Sequence, residues 1–254
     1  MITMSKHSLE NKTVVITGGA KNLGGLISRK FAELGANLVI HYNSESSRAD
    51  AEDTLKAVES FGAKAILIQA DLSDIQKIDE LFVQAKAHFG EVDIAINTVG
   101  RVLKKPYLET TEQEFDEMSN INSKIAYFFI QSAGKHLNNN GKICTILTSL
   151  LAAYTGLYST YGGLKAPVEH YTRAASKEFG ERGISVTSVA PGPMDTPFFY
   201  GQEAPEAVEY HKSASALGGL TQIEDIEPLV RFLVTDGWWI TGQTIFANGG
   251  YTTR

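Results

Sequence analysis

Residues 13–25 read TVVITGGAKNLGG, an apolar strand-length run that leads into a glycine-rich turn and the start of a helical pattern. This order forms a site for a pyrophosphate, because N–H groups at a helix N-terminus point outward and the helix dipole favours negative charge. The spacing is not Gly-x-Gly-x-x-Gly, so the turn alone also fits a tight strand-to-helix connection. Its place after the first strand favours nucleotide binding, with these candidate residues: Gly18, Lys21, Asn22, Leu23 and Gly24.

Apolar runs of strand length alternate with amphipathic helical stretches along the rest of the chain. The predicted strands cover residues 13–17, 37–41, 64–69, 94–97, 142–148, 185–189 and 244–247. This alternation predicts an α/β fold: a doubly wound, Rossmann-type parallel sheet of about seven strands with helices on both faces. Without repeats or linkers, residues 1–254 are interpreted as a single domain. A cofactor would lie across the carboxyl ends of the strands, between the first and the fourth.

Helix boundaries carry their own signals. Three stretches have the spacing of a capping box, and three glycines stand where helices should end in the left-handed conformation. The stretches are residues 73–76, 111–114 and 221–224, and the glycines are Gly35, Gly62 and Gly90.

Composition excludes several classes of protein. The formal net charge of −6 over 254 residues argues against a general nucleic-acid surface. Cys144 is the single cysteine, so no intrachain disulfide can form, and it is interpreted as a core residue. No apolar stretch is long enough for a signal peptide or a membrane span, and no cluster has metal-ligand spacing. We expect a cytoplasmic protein with no membrane, nucleic-acid or metal partner.

The end of the second predicted strand bears on the choice of cofactor. A carboxylate there would bind the ribose 2′-hydroxyl of NAD, but residues 41–44 read HYNS. Lys21 can meet a 2′-phosphate while Asn43 and Ser44 donate hydrogen bonds, which favours NADP(H) over NAD(H). Glu45, just beyond, is the argument for NAD(H).

Tyr161 and Lys165 are four residues apart, which places both side chains on one face of a helix. A free tyrosine has a pKa near 10, too high for efficient proton exchange at neutral pH. A nearby lysine cation favours the phenolate, so the pair suits proton transfer. Such a pair is common by chance; it becomes specific here because it follows the fifth strand of a nucleotide-binding pattern.

Together these motifs resemble the short-chain dehydrogenase/reductase family from Thr13 to Gly250, with Asn22 in place of the middle glycine of the family's Thr-Gly-x-x-x-Gly-x-Gly turn. Asparagine is the non-glycine residue that best tolerates positive φ, so the turn can survive the replacement. In the family, a basic residue at the position of Lys21 is associated with NADP.

The resemblance implies roles for further residues. The family's adenine-contacting aspartate matches Asp71, followed by Leu72, and its Asn-Asn-Ala-Gly motif appears as residues 97–100, NTVG, which implies Asn97 and Gly100. Its Pro-Gly-x-x-x-Thr motif matches residues 191–196, which implies cofactor contacts by Pro191, Gly192, Met194 and Thr196.

The resemblance also implies a catalytic set of Asn122, Ser149, Tyr161 and Lys165. The family's substrate-binding serine stands about 13 residues before the tyrosine. Spacing therefore favours Thr148, residue type favours Ser149, and Ser149 is preferred because a loop can lose a residue without moving its ends. Asn122 would hold a water that links Lys165 to solvent, and Lys165 would bind ribose hydroxyls.

The expected activity is NADP(H)-dependent interconversion of a carbonyl and a secondary alcohol, with Tyr161 as general acid/base. Residues 191–220 are expected to form an irregular lid over the substrate, with an apolar pocket near the aromatic run at 198–200. A β-ketoacyl carrier-protein reductase, which would need a basic patch beside the cleft, and a non-catalytic NADP(H)-sensing regulatory protein stay open as alternatives. Family members are commonly dimers or tetramers, so the resemblance implies a homodimer or homotetramer.

Overall fold

The structure is a computed structural model that describes residues 7–253, and this part of the chain contains one seven-stranded, entirely parallel sheet. Its order is β3-β2-β1-β4-β5-β6-β7. The strands are β1 (Thr13–Thr17), β2 (Asn37–Tyr42), β3 (Ala65–Gln69), β4 (Ile94–Asn97), β5 (Lys142–Ile146), β6 (Ser185–Pro191) and β7 (Thr244–Ala247). The predicted doubly wound Rossmann-type fold is confirmed.

Helices cover both faces of the sheet. They are α1 (Asn22–Glu33), α2 (Arg48–Ser60), α3 (Ile75–Phe89), α4 (Glu112–Ser119), α5 (Ile125–His136), α6 (Ser159–Glu178), α7 (Pro197–Tyr200), α8 (Pro205–Ala214) and α9 (Ile223–Val234). Helices α1, α2 and α9 contribute to the core on one face, and α3, α5 and α6 contribute to the core on the other. This arrangement buries β1 completely.

Successive residues of a strand face opposite sides of the sheet, so each face has its own core. In β1, Val14 and Ile16 pack with Phe31 of α1, whereas Val15 packs with Phe82 of α3 and Phe129 of α5. A strand buried on both faces is apolar at successive positions, which is why Val14, Val15 and Ile16 form an uninterrupted apolar run between two buried threonines.

The chain reverses its direction of winding between β3 and β4, because β4 pairs with β1 on the side opposite β2. Loops leaving the carboxyl ends of β1 and β4 diverge at this point and open a crevice. The predicted location of the cofactor site therefore coincides with the topological switch of the sheet.

Several expected helix boundaries shift by one residue. The capping box at Thr111 and Glu114 is present as predicted. The other two boxes are wrong: Asp74 caps α3 and accepts a hydrogen bond from Gln76, and Gln222 pairs with Asp225 at the start of α9. The three glycines placed at helix ends all have φ near +80°, as predicted.

The segment expected to be an irregular lid is partly helical, since residues 191–220 contain α7 and α8. Proline begins both helices, and its fixed φ suits the first helical position. Among the described residues, no helix is both long enough and apolar enough to cross a membrane.

Candidate active site

The carboxyl edge of the sheet opens into a main cleft of about 700 Å³, which runs from the glycine-rich turn to Tyr161. Thirteen of the residues proposed from the sequence line this cleft. They are Gly18, Lys21, Asn22, Leu23, Gly24, Asn43, Asp71, Leu72, Gly100, Tyr161, Lys165, Met194 and Thr196. Pro191, Gly192 and Ser149 line a smaller side cavity instead.

The glycine-rich turn adopts the conformation that its sequence anticipates. Gly18 has φ +69° and Asn22 has φ +49°, so asparagine supports the left-handed conformation where the family pattern has glycine. A Cβ on Gly24 would lie 2.1 Å from the carbonyl oxygen of Gly18, so only glycine allows this approach. The turn is therefore closed too tightly for any side chain at Gly24.

The N-terminus of α1 faces the main cleft without a side-chain cap. Lys21 is the N-cap residue in an extended conformation, no side chain accepts a hydrogen bond there, and the first turn contains no acidic residue. The first N–H groups of a helix need acceptors, and phosphate oxygens can supply them. This end of α1 is built to receive an anion.

Sequence reasoning missed His41, which lines the main cleft and holds the glycine-rich turn. The backbone N–H of Gly18 donates to Nδ1 of His41 at 3.1 Å, so Nε2 carries the proton and donates to the carbonyl oxygen of Ala70 at 2.8 Å. Burial lowers the pKa of His41 to about 4, although the hydrogen bond to Ala70 and the charge of Asp71 act to raise it. The available sequence signal for this role was a histidine at the end of the second predicted strand, close to where the glycine-rich turn ends the first.

The region expected to receive a 2′-phosphate contains Lys21, whose Nζ lies 2.9 Å from a carboxylate oxygen of Asp50. Both side chains are about half exposed. Asn43 lines the main cleft, whereas Ser44 does not and shares a hydrogen bond with Ser46 at 2.9 Å. The structure therefore brings Lys21 and Asn43 to this site and leaves Ser44 outside.

Asp71 and Asn97 stand at the carboxyl ends of their strands as expected, but with different surroundings. Asp71 is exposed in the main cleft, and its Oδ1 accepts a hydrogen bond from the N–H of Ser73. Asn97 is buried outside the cleft, where its Oδ1 accepts from Thr17 at 2.8 Å and from the N–H of Val99 at 3.0 Å. Asn97 therefore supports the wall of the main cleft through these hydrogen bonds and does not line the cleft itself.

Tyr161 and Lys165 lie on one face of α6, as their spacing predicts, and both are buried. Nζ of Lys165 donates to the carbonyl oxygens of Val99 at 3.1 Å and Ile146 at 3.0 Å. A Cβ on Gly100 would lie 3.1 Å from this Nζ, so glycine leaves room for the ammonium group. β4, β5 and α6 together fix the lysine beside the tyrosine.

The protonation of the pair differs from the simple expectation that Lys165 lowers the pKa of Tyr161. Burial raises the pKa of Tyr161 to about 12, and a hydrogen bond with Thr148 only partly opposes this. Burial also lowers the pKa of Lys165 to about 8. Low dielectric disfavours both charged forms, and burial is the largest cause of both pKa shifts.

The two candidates for the substrate-binding hydroxyl, Thr148 and Ser149, both line the side cavity but have different hydrogen-bond partners. The hydroxyl of Ser149 donates to the carbonyl oxygen of Ala190 at 2.9 Å and accepts from Nδ2 of Asn248 at 2.9 Å, so it is engaged in the interior. The hydroxyl of Thr148 accepts a hydrogen bond from the N–H of Leu150 at 3.3 Å, and Thr148 acts against the rise in the pKa of Tyr161. β5 ends at Ile146, two residues earlier than predicted, and Thr148 begins the short 3-10 turn Ser149–Ala152. These contacts favour Thr148, and its role toward a substrate stays a prediction.

Asn122 lies in a single π-helical turn, Asn120–Lys124, between α4 and α5, and its side chain is fully buried. Its Nδ2 donates to the carbonyl oxygen of Arg101 at 2.9 Å and its Oδ1 accepts from the N–H of Arg101 at 3.1 Å. The amide thus clamps the loop after β4 against the helix. π-helical turns occur frequently at functional sites.

The loop after β6 joins the main cleft to the side cavity. Met194 and Thr196 line both spaces, and so do Tyr161 and Phe198, whose ring centroids are 6.5 Å apart. Phe199 also lines the side cavity, whereas Tyr200 donates a hydrogen bond to Asp195 outside it. The aromatic run thus forms part of the expected apolar wall.

Two further sequence features, the potential metal ligands and the single cysteine, can be located in the structure. In that part of the chain, no group of three or more His, Cys, Asp and Glu side chains has metal-binding geometry. Cys144 is fully buried, and burial raises the pKa of its thiol to about 12, as suits an inert core residue.

Comparison with known proteins places this site in context. A family model described as enoyl-(acyl carrier protein) reductase matches residues 18–252. A solved structure of a dehydrogenase from Burkholderia cenocepacia with bound NADP is 59% identical and superposes with a TM-score of 0.96, covering 100% of this chain and 97% of that one.

Two curated relatives extend the comparison. A hydroxynaphthalene reductase-like protein from Metarhizium anisopliae is 32% identical, with 97% of each chain covered. A chloroplastic NADPH-dependent aldehyde reductase-like protein from Arabidopsis thaliana is also 32% identical, over 98% of this chain and 100% of the relative. With this fold, this match over nearly its whole length and these relatives, the chain belongs to the short-chain dehydrogenase/reductase family and is an oxidoreductase.

Proposed function

We propose that the protein is an NADP(H)-dependent carbonyl reductase or alcohol dehydrogenase that uses Tyr161 as its general acid/base. The observation that carries this proposal is the position of Tyr161, which lines both the main cleft and the side cavity. A proton donor at this junction can reach a substrate in the side cavity while that substrate faces a cofactor in the main cleft.

The residues of the main cleft fit a dinucleotide. The uncapped N-terminus of α1 and the glycine turn would hold the pyrophosphate, Asp71 and Leu72 would lie beside the adenine, and Lys165 would bind ribose hydroxyls. When bound, the nicotinamide supplies the hydride that the reaction transfers.

Preference for NADP(H) rests on charge. Lys21 stands beside the expected 2′-phosphate, and its exposed pair with Asp50 is worth at most about 1 kcal/mol, so a phosphate can replace that partner. Glu45, the argument for NAD(H), does not line the main cleft and lies 3.4 Å from Arg48. The NADP in the Burkholderia structure and the name of the Arabidopsis relative support the same cofactor.

Proton transfer would then use residues of this chain in fixed roles. Thr148 and Tyr161 would both donate hydrogen bonds to the substrate oxygen, and Tyr161 would give up its proton as that oxygen gains charge. Lys165 has three N–H donors, and the carbonyls of Val99 and Ile146 accept from it. The third N–H of Lys165 can point to the ribose or to a water held near the π-helical turn at Asn122.

The raised pKa of Tyr161 is compatible with its role as proton donor. A phenol with a pKa of about 12 is fully protonated at neutral pH, which is the form that donates to a carbonyl oxygen. Oxidation of an alcohol would need the phenolate and therefore a further positive charge nearby.

The carrier-protein alternative is disfavoured by the surroundings of the cleft. It would need basic side chains free to meet an acidic partner, but three cations beside the site are paired with carboxylates. The pairs are Arg101–Glu117 at 3.4 Å, Lys104–Glu203 at 2.5 Å and Lys105–Glu114 at 2.8 Å. A non-catalytic NADP(H)-sensing protein would not need a proton donor, so the buried Tyr161–Lys165 pair argues against that alternative. One catalytic domain, a homodimer or homotetramer and a cytoplasmic location remain predictions.

The test is NADPH oxidation against a panel of ketones, aldehydes and quinones by the wild type and by Tyr161→Phe. We expect wild-type turnover that falls about 10²- to 10⁴-fold in the variant, because the proton donor is lost. NADPH binding, followed by fluorescence, should remain. Equal turnover by both proteins would refute the role of Tyr161, and NADPH binding without turnover of any substrate would favour the sensing protein.

A further inference from the structure

The side cavity has a polar end formed by four side chains, here called the distal cluster: Lys104, Glu203, His211 and Tyr251. Three of them, Glu203, His211 and Tyr251, line the cavity, and Lys104 pairs with Glu203. Neither the proton-transfer residues nor the cofactor site accounts for this cluster.

Glu203 is the centre of the distal cluster, and its side chain is only 1% exposed. Its Oε2 accepts a hydrogen bond from Nζ of Lys104 at 2.5 Å and lies 3.7 Å from Nε2 of His211. Its Oε1 is buried, and none of the described residues donates a hydrogen bond to it. A buried carboxylate oxygen without a donor is unfavourable, which indicates a partner supplied from outside the chain.

The charge of Glu203 is already balanced. Lys104 provides the positive charge, and burial lowers the pKa of His211, which favours its neutral form. Nδ1 of His211 hydrogen-bonds the hydroxyl of Tyr251 at 2.9 Å, which fixes the ring. A cation would add an uncompensated charge here, so the group that suits Oε1 is a neutral O–H or N–H donor.

Apart from the distal cluster, the lining of the side cavity is mostly apolar and includes Leu147, Leu150, Phe198 and Phe199. The side cavity has a volume of about 80 Å³ and shares Tyr161 with the main cleft, so it can take only the distal part of a substrate whose carbonyl end lies at Tyr161. The part that enters must be apolar and end in a polar group.

We propose that Glu203 is a specificity-determining residue that accepts a hydrogen bond from a hydroxyl group at the end of the substrate opposite the reacting carbonyl. The substrate class is then a ketone or aldehyde with an apolar body and a distal hydroxyl, typically a phenol. This inference rests on the proposed function, since it assigns the carbonyl end of the substrate to Tyr161.

The first experiment compares ketones that differ only in the distal donor. Benzylacetone, its three monohydroxyphenyl isomers and the matching methoxyphenyl compounds are assayed with NADPH as cofactor. We expect at least one hydroxyphenyl isomer to have a kcat/KM about 10- to 100-fold above both benzylacetone and its methoxy counterpart, because hydrogen bonds to a buried charged acceptor are strong. A wild type that shows no donor preference with any isomer overturns the inference.

The second arm assigns the preference to Glu203. Glu203→Gln should lose most of the preference for the hydroxyphenyl isomer, and its circular dichroism spectrum and NADPH binding should match those of the wild type, which shows that the variant is folded. Glu206→Gln is the matched control, because Glu206 lies three residues after Glu203, is exposed in the first turn of α8, and should behave as the wild type. A preference that survives unchanged in Glu203→Gln also overturns the inference.

Binding separates this inference from the proposed function. Calorimetry of the same ketones with the NADP⁺-saturated protein measures donor preference without turnover. Tighter binding of a hydroxyphenyl isomer, lost in Glu203→Gln, supports the role of Glu203 even if no ketone is reduced, and that result would count against the proposed function alone. Reduction of ketones without any donor preference supports the function and refutes the role of Glu203.

Discussion

The buried histidine behind the glycine-rich turn predicts a specific loss of stability in mild acid. His41 accepts a hydrogen bond from Gly18 through Nδ1 and donates one to Ala70 through Nε2, an arrangement open only to the neutral ring. Protonation would place a second donor against the N–H of Gly18. The folded protein therefore resists binding a proton at His41, whereas the unfolded chain does not.

The size of the effect follows from the pKa of His41. It is about 4 in the folded protein and 6.5 in the unfolded reference. Because the folded pKa is the lower one, the contribution to stability is complete above pH ~6.5 and is lost as the pH falls toward ~4. The full difference of roughly 2.5 pKa units corresponds to about 3 kcal/mol, of which about 2 kcal/mol is lost by pH ~5.

Urea unfolding at pH values of about 7.5, 6 and 5 measures this loss through the free energy of unfolding. His41→Asn keeps an acceptor near Gly18 but cannot titrate, so its stability should fall by about 2 kcal/mol less than that of the wild type between the outer two pH values. At neutral pH the variant should be less stable by about 1–3 kcal/mol, because the carbonyl of Ala70 loses its donor.

His170→Asn is the matched control, because His170 is exposed on α6. Its unfolding should follow the wild type at every pH. The reasoning would be refuted by a pH dependence of His41→Asn that equals that of the wild type, since the titrating group would then lie elsewhere.

Two further predictions concern catalysis and the cofactor. Thr148→Ala should lower kcat/KM about 10²-fold by removing a hydrogen bond to the substrate oxygen, whereas Ser149→Ala should mainly lower the free energy of unfolding, by about 1–3 kcal/mol, because the carbonyl of Ala190 loses its donor. Steady-state kinetics and urea unfolding of both variants check this, and the reverse pattern would restore Ser149 as the substrate-binding residue. Lys21→Ala should raise the KM for NADPH about 10-fold and leave that for NADH nearly unchanged, while Asp50→Asn, which frees the lysine, should not raise the KM for NADPH. Equal changes of KM for both cofactors in Lys21→Ala would contradict a role at the 2′-phosphate.

Local signals in the sequence were sufficient for the fold and for much of the main cleft. The apolar runs, their alternation with helices and the glycine turn after β1 depend on neighbours within a few residues, so the parallel sheet could be predicted. The spacing of Tyr161 and Lys165 is likewise a property of one helix. Asn22 takes positive φ because asparagine tolerates that conformation, which is again local.

The errors occurred where a boundary or a partner depends on packing. One capping box shifted by one residue and another was replaced by a simple cap at Asp74, since several side chains near each helix start can serve as the cap. The spacing from Tyr161 to the substrate hydroxyl could not decide between Thr148 and Ser149. The argument for Thr148 comes from Ala190 and Asn248, which hydrogen-bond the hydroxyl of Ser149 from other elements, and kinetics of the two variants must decide.

The sequence by itself determined the fold class, the glycine-rich turn that lines the main cleft and the Tyr161–Lys165 pair, because each depends on residues close together along the chain. Only the tertiary structure showed that His41 supports Gly18 and that Lys104 meets Glu203, 99 residues away. The burial that shifts the pKa of Tyr161 and His41 is also a property of the packed molecule. Contacts between distant residues and the loss of solvent arise only when the sheet and its two helical layers assemble.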